Sequence, residues 1–108
     1  MAINYKEQDF EFLLKETGVN VILDMVGGSY LPKNINILAP DGRLVYINAM
    51  QGRQAELDIL KVMQKRLTIT GSTLRARETT FKAFLAREIQ KYVWPLFQDK
   101  KIKPVIFK

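Results

Sequence analysis

Apolar residues change their spacing several times along the chain, and each change marks an element. Phe10, Leu13 and Leu14 fall at helical spacing ahead of Gly18, predicting a short helix preceded by an extended Ile3-Asn4-Tyr5. From Val19 to Val26 the run is apolar except for Asn20 and Asp24, as in a strand covered on both faces of a parallel sheet. Gly27 and Gly28 then lead to Ser29, a capping residue for a helix that carries Leu31, Ile35 and Leu38 on one face and ends at Pro40-Asp41-Gly42. Arg43 to Met50 predicts a second central strand, and Glu56 to Lys65 a helix with Leu57, Leu60 and Met63 as its apolar stripe. Leu67 to Ser72 alternates apolar and hydroxyl residues, as an edge strand does. Thr79 or Thr80 caps the longest helix, with Phe81, Phe84, Leu85, Ile89, Val93, Leu96 and Phe97 as its buried stripe and Pro95 kinking its last turns. A short apolar stub, Val105 to Phe107, closes the chain.

Strands alternating with helices and joined by short Gly and Asp turns predict an α/β fold with a parallel sheet. A length of 108 residues fits a single domain over 1–108. The apolar runs fall far short of a membrane span and the N-terminus MAINYKEQDF lacks a signal core, so the expectation is a cytoplasmic protein. The chain has no cysteine and no histidine, which removes disulfides, the usual zinc ligands and every Ser-His or Cys-His nucleophile scheme within it. Its net charge of +6 permits attraction to phosphates. The cations are dispersed, however, with only Lys100-Lys101-Ile102-Lys103 dense, so nucleic acid is not the expected partner.

Open parallel sheets take ligands at the carboxyl ends of their strands. The candidate rim is therefore Asp24 to Gly28, Asn48 to Gly52, and Ser72 to Arg77. The stretch VILDMVGGSY has a strand-glycine-helix look, but a pyrophosphate cradle needs G-x-G-x-x-G, and here Tyr30, Leu31 and Pro32 stand where the third glycine belongs. No Gly-Lys-Ser or Gly-Lys-Thr of a P-loop occurs either. Asp24 reads as a local cap or ion-pair partner. Arg75 and Arg77 could hold an anion through their guanidinium forks or simply be solvated. Tyr46 and Met50 read as packing, and Asn48 as a side chain satisfying a loop backbone.

The run GVNVILDMVGGSYLPKNINILAPDGRLVYINAMQG, followed by KRLTITGSTLRAR, resembles the zinc-independent NADPH:quinone oxidoreductases of the medium-chain dehydrogenase/reductase superfamily, the zeta-crystallin-like and p53-inducible quinone reductase type. The combination of DGRLV and GSTLR carries the likeness, which extends through Tyr92-Val-Trp-Pro-Leu96 and Ile102-Lys-Pro-Val-Ile106. The resemblance implies a partial Rossmann-like sheet. Ile3 to Tyr5, Val19 to Asp24, Leu44 to Asn48 and Leu67 to Ser72 would be the family's third to sixth strands, and the first two strands, the glycine-rich loop and the catalytic domain would be missing. It also implies a cofactor, NADPH, approached by Val26, Gly27, Asn48, Ala49, Met50, Leu74 and Arg75, and no catalytic side chain.

Two consequences follow from that placement. The third strand would lie about 14 Å from the fourth, three strand places away, so it must move, pair elsewhere or fray. The fourth would present an unpaired apolar edge, and the sixth resembles the edge through which family subunits join. The expectation is an inactive fragment of a quinone oxidoreductase that forms a homo-oligomer through Leu67 to Ser72 or through an exchanged element. The competing expectation is an interaction module using its exposed strand edges.

Overall fold

A computed structural model describes residues 2–107. By its internal contacts the chain divides into two compact units, one running to Thr73 and the other from Leu74.

The first unit is built on three parallel strands, β1 (Val19–Asp24), β2 (Leu38–Tyr46) and β3 (Thr68–Gly71), in the order β1-β2-β3. Three helices accompany them: α1 (Phe10–Leu14), α2 (Tyr30–Ile37) and α3 (Ile59–Lys65). Ile22, Leu44 and Ile69 are partners across the sheet and point to one face, where they meet Leu31 and Ile35 of α2, Leu38, and Val62 of α3. Leu44, Ile35 and Leu38 are the most completely buried large side chains, so the core is a single layer between the sheet and α2. The opposite face is not covered as the sequence predicts for β1: Val21 and Leu23 are 62% and 63% exposed.

The α2–β2 junction departs from expectation. The helix stops at Ile37, because Leu38 already pairs with Val19. Pro40-Asp41-Gly42, expected as the helix stop, forms an irregularity inside β2 instead, since the next partners are Val21 and Arg43. Asp41 there adopts a left-handed φ of 61° and is held by two bonds from Arg66, of 2.7 and 2.6 Å.

Helix α3 begins three residues later than Glu56, where the Asp58 carboxylate accepts the Lys61 N–H. That start packs Val62 against the core, brings Lys61 and Lys65 to the end of α2 and leaves Leu60 and Met63 exposed, so the expected stripe is not the buried one. Lys65 Nζ donates to the carbonyls of Ile35, Asn36 and Leu38, satisfying the C-terminal end of α2 from a neighbouring helix.

Ile3-Asn4-Tyr5 is not a strand. Its local hydrogen bonds are those of a turn: the Asn4 carbonyl accepts the Glu7 and Gln8 N–H groups, and the Asn4 side chain accepts the Lys6 N–H. Helix α1 follows, capped by the Asp9 carboxylate on the Glu11 N–H, and Gly18 ends the segment at φ 70° with its N–H on the Leu14 carbonyl. Asp9 also pairs with Lys33 of α2, and Phe10 packs on Tyr30 with ring centroids 5.1 Å apart.

The second unit holds α4 (Thr79–Tyr92) and α5 (Trp94–Gln98). The cap position of α4 is Glu78 rather than a threonine, and it makes no side-chain cap bond. Pro95 ends the long helix altogether: it sits in the first turn of α5, where its missing N–H costs nothing. None of the expected α4 stripe is buried, and Phe81, Phe84, Ile89 and Phe97 are exposed, because two helices over so few residues enclose no core. Val105 to Phe107 belongs to no strand or helix among the described residues and is largely exposed.

Candidate functional site

Two loops meet at the carboxyl ends of β1 and β2. Met25 to Gly28 and Met50 to Gly52 are joined by three backbone bonds: Met50 N–H to the Met25 carbonyl, Gln51 N–H to Val26, and Gly28 N–H to Gly52. The approach is close enough to require glycine. A β-carbon on Gly27 would lie 2.7 Å from the Gly52 carbonyl, and one on Gly28 2.7 Å from that of Gln51. Both glycines also have φ values, 68° and 52°, that other residues rarely adopt.

Asp24 fastens this arrangement from below. It is 4% exposed, and its Oδ1 accepts the N–H groups of Val26 and Gly27 while Oδ2 accepts the Asn34 amide of α2. The local-cap reading of Asp24 is therefore correct, with a buried amide rather than a cation as its distant partner. Its carbonyl also takes the Ile47 N–H, tying β1 to the loop after β2.

Above these loops lies a cavity of about 610 Å³ lined by residues of the first unit, among them Gly27, Gly28, Tyr46, Asn48, Ala49, Gly52, Arg53, Gly71 and Ser72. Gly27, Asn48 and Ala49 of the expected site thus come together around one space. Val26 and Met50 belong to the same stitched loops, and Met50 is exposed. Leu74 and Arg75 fall in the second unit, in a turn where the Leu74 carbonyl accepts the Arg77 N–H and the Arg75 carbonyl accepts Lys82 Nζ. Arg77 stands over the Phe81 ring at 4.9 Å. Asn48 caps its own loop, its Oδ1 accepting the Ala49 N–H.

Sequence reasoning missed Arg53 and Ala55, which lie just beyond Gly52, and took Tyr46 for packing alone. The signal for Arg53 was its place directly after a rim glycine. Burial and the charge of Asp24 hold the Tyr46 phenol above its ordinary value, so it is a protonated hydroxyl on the cavity wall.

The glycine turn is not a phosphate cradle, and its hydrogen bonds explain why. The N–H groups of Gly27, Gly28 and Gly52 go to Asp24 Oδ1, the Gly52 carbonyl and the Ala49 carbonyl. The first donors of α2 are engaged as well, Tyr30 N–H on Gly27 and Leu31 N–H on Gly28. These backbone donors leave nothing to offer an anion. No group of His, Cys, Asp or Glu among the described residues is arranged to hold a metal ion. No helix there is long and apolar enough to cross a membrane.

A parallel sheet with a glycine-walled cavity at its strand ends is the architecture of nucleotide-dependent α/β proteins. Comparison with known proteins agrees. The zinc-binding dehydrogenase family profile matches residues 1–91, and the chain belongs to that family. Mouse prostaglandin reductase-3 is 26% identical, the match covering 83% of this chain and 27% of the relative. The Escherichia coli quinone oxidoreductase, solved in complex with NADPH, is 25% identical with a TM-score of 0.76, over 97% of this chain and 33% of that one. Benzyl alcohol dehydrogenase from Acinetobacter calcoaceticus is 28% identical with a TM-score of 0.65, over 88% and 28%. The chain spans about a third or less of the length of these relatives.

Proposed function

We propose that this chain is the nicotinamide-side portion of an NADPH-dependent oxidoreductase that reduces quinones or activated enones without zinc. The observation that carries this reading is the pair of stitched loops whose Gly27, Asn48 and Ala49 wall the cavity at the strand ends. The likeness to a quinone oxidoreductase solved with NADPH supports it, as does a reductase among the curated relatives. Bound NADPH supplies the hydride. Val26, Gly27, Asn48, Ala49 and Met50 would hold its nicotinamide end.

The engaged glycine N–H groups fit a neutral ring and do not fit a pyrophosphate. With no glycine-loop cradle for the pyrophosphate and no hold on the adenosine half, the cofactor is not clamped at both ends for transfer, so the chain alone is inactive. Millimolar NADPH added to the isotopically labelled chain is expected to shift the amides of Gly27, Gly28 and Asn48 to Gly52, with no quinone turnover. Rim amides that stay unmoved would remove the cofactor assignment, and micromolar binding with turnover would overturn the inactivity. We also propose self-association through β3 or through an exchanged element that covers β1, which the exposed Val21 and Leu23 of β1 favour.

A further inference from the structure

We propose that Arg53 recognises an oxyanion, a carboxylate or a phosphate, carried on a flat and largely apolar ligand, and so decides which molecules the cavity takes. The inference deepens the nicotinamide-site reading and rests on it only in treating this cavity as the ligand site.

Arg53 is the one charged residue in the cavity lining. Among the described residues its guanidinium pairs with no carboxylate, whereas Arg66, Lys33, Lys61 and Lys101 all do. The nearby buried carboxylate, Asp24, is turned inward and fully occupied by Val26, Gly27 and Asn34. The apolar part of the wall is Leu31, Ile47, Ala49, Ala55 and backbone at Gly27, Gly28 and Gly71, surfaces that suit a planar apolar body.

Most backbone donors on the lining are already engaged, the glycine ones among them. The glycine N–H groups of both loops are engaged within the protein, the Ser72 N–H goes to the Tyr46 carbonyl, and the Ala49 N–H goes to Asn48. A negative group entering this cavity therefore meets Arg53 as the one cation among its lining residues, with the hydroxyls of Tyr46, Ser72 and Thr73 and the Asn48 amide as neutral donors. The guanidinium fork matches a carboxylate or a terminal phosphate through two parallel bonds, which a lysine ammonium does not reproduce.

The anion can belong to the hydride acceptor or to the ribose phosphate of the nicotinamide half, and paired probes separate the two. Binding of trans-cinnamate and of its methyl ester reads the first source; nicotinamide mononucleotide and nicotinamide riboside read the second. Each is titrated by amide shifts into the full chain and into Arg53→Gln and Arg53→Lys. At least one anionic probe is expected to bind the unaltered chain more tightly than its neutral counterpart. Arg53→Gln should weaken that probe by roughly tenfold, with the neutral counterpart unchanged and Arg53→Lys intermediate. Which pair responds identifies the source. Equal affinity for anionic and neutral probes, or an anionic preference that survives Arg53→Gln, overturns the proposal. The cofactor assignment fails separately: rim amides unmoved by NADPH, with cinnamate still selected through Arg53, would leave the present inference standing.

Discussion

Gly27 joins three constraints at one residue: a positive φ, an N–H held by a buried carboxylate, and a Cα wall against the Gly52 carbonyl. Gly27→Ala is therefore expected to cost roughly 1–3 kcal/mol of stability, measured by chemical denaturation. The same variant should shift the Gly52 and Gln51 amides, because the two loops are bonded to each other. Tyr46 makes a second residue-scale prediction. Its phenol holds a proton above the ordinary value of 10.0, so in that window the folded chain keeps a proton the unfolded chain has lost. Stability that Tyr46 contributes below that value falls as pH rises through its folded pKa. An ultraviolet phenolate titration should lose its late component in Tyr46→Phe, and a Tyr46 that ionises at its ordinary value would contradict the burial argument.

Helix α2 is held at its C-terminal end by Lys65, which reaches three carbonyls from another helix. Lys65→Met keeps the aliphatic stem and leaves those half-buried carbonyls without their donor, so a loss of about 2 kcal/mol in denaturation is expected. Nothing in the sequence pattern marks that contact. The stripe Leu57, Leu60 and Met63 is more apolar than the face that turns inward, and a lysine reads as solvated until its partners are known. The strands were legible for the opposite reason: Val19 to Asp24 and Leu44 to Tyr46 are short apolar runs of strand length, although one face of Val19 to Asp24 is open where burial on both was expected. Ile3-Asn4-Tyr5 looked like a strand because two apolar residues flank one polar residue, but with no neighbouring strand to pair with, the asparagine's local bonds prevail. In the site, glycine spacing alone was enough to exclude a phosphate turn. That those glycines had given their N–H groups to Asp24 and to each other needed the fold.

The described chain leaves apolar sheet surface in the open: Val21 and Leu23 of β1 are exposed, and β1 has a neighbour on one side only. Sedimentation velocity is expected to show concentration-dependent association, reduced by Val21→Lys; a monomer at every concentration would remove the self-association proposal. On the scale of the whole protein, the chain belongs to the dehydrogenase family and spans about a third of the quinone oxidoreductase it matches. The central proposal is that the cavity at the strand ends receives the nicotinamide half of the cofactor and takes no hold of the adenosine half. Amide-shift titrations of the full chain with the two halves separately test that claim most directly. Nicotinamide mononucleotide should move Gly27, Gly28 and Asn48 to Gly52, and adenosine bisphosphate should leave them in place. Shifts at that rim from adenosine bisphosphate, with none from the nicotinamide half, would contradict it.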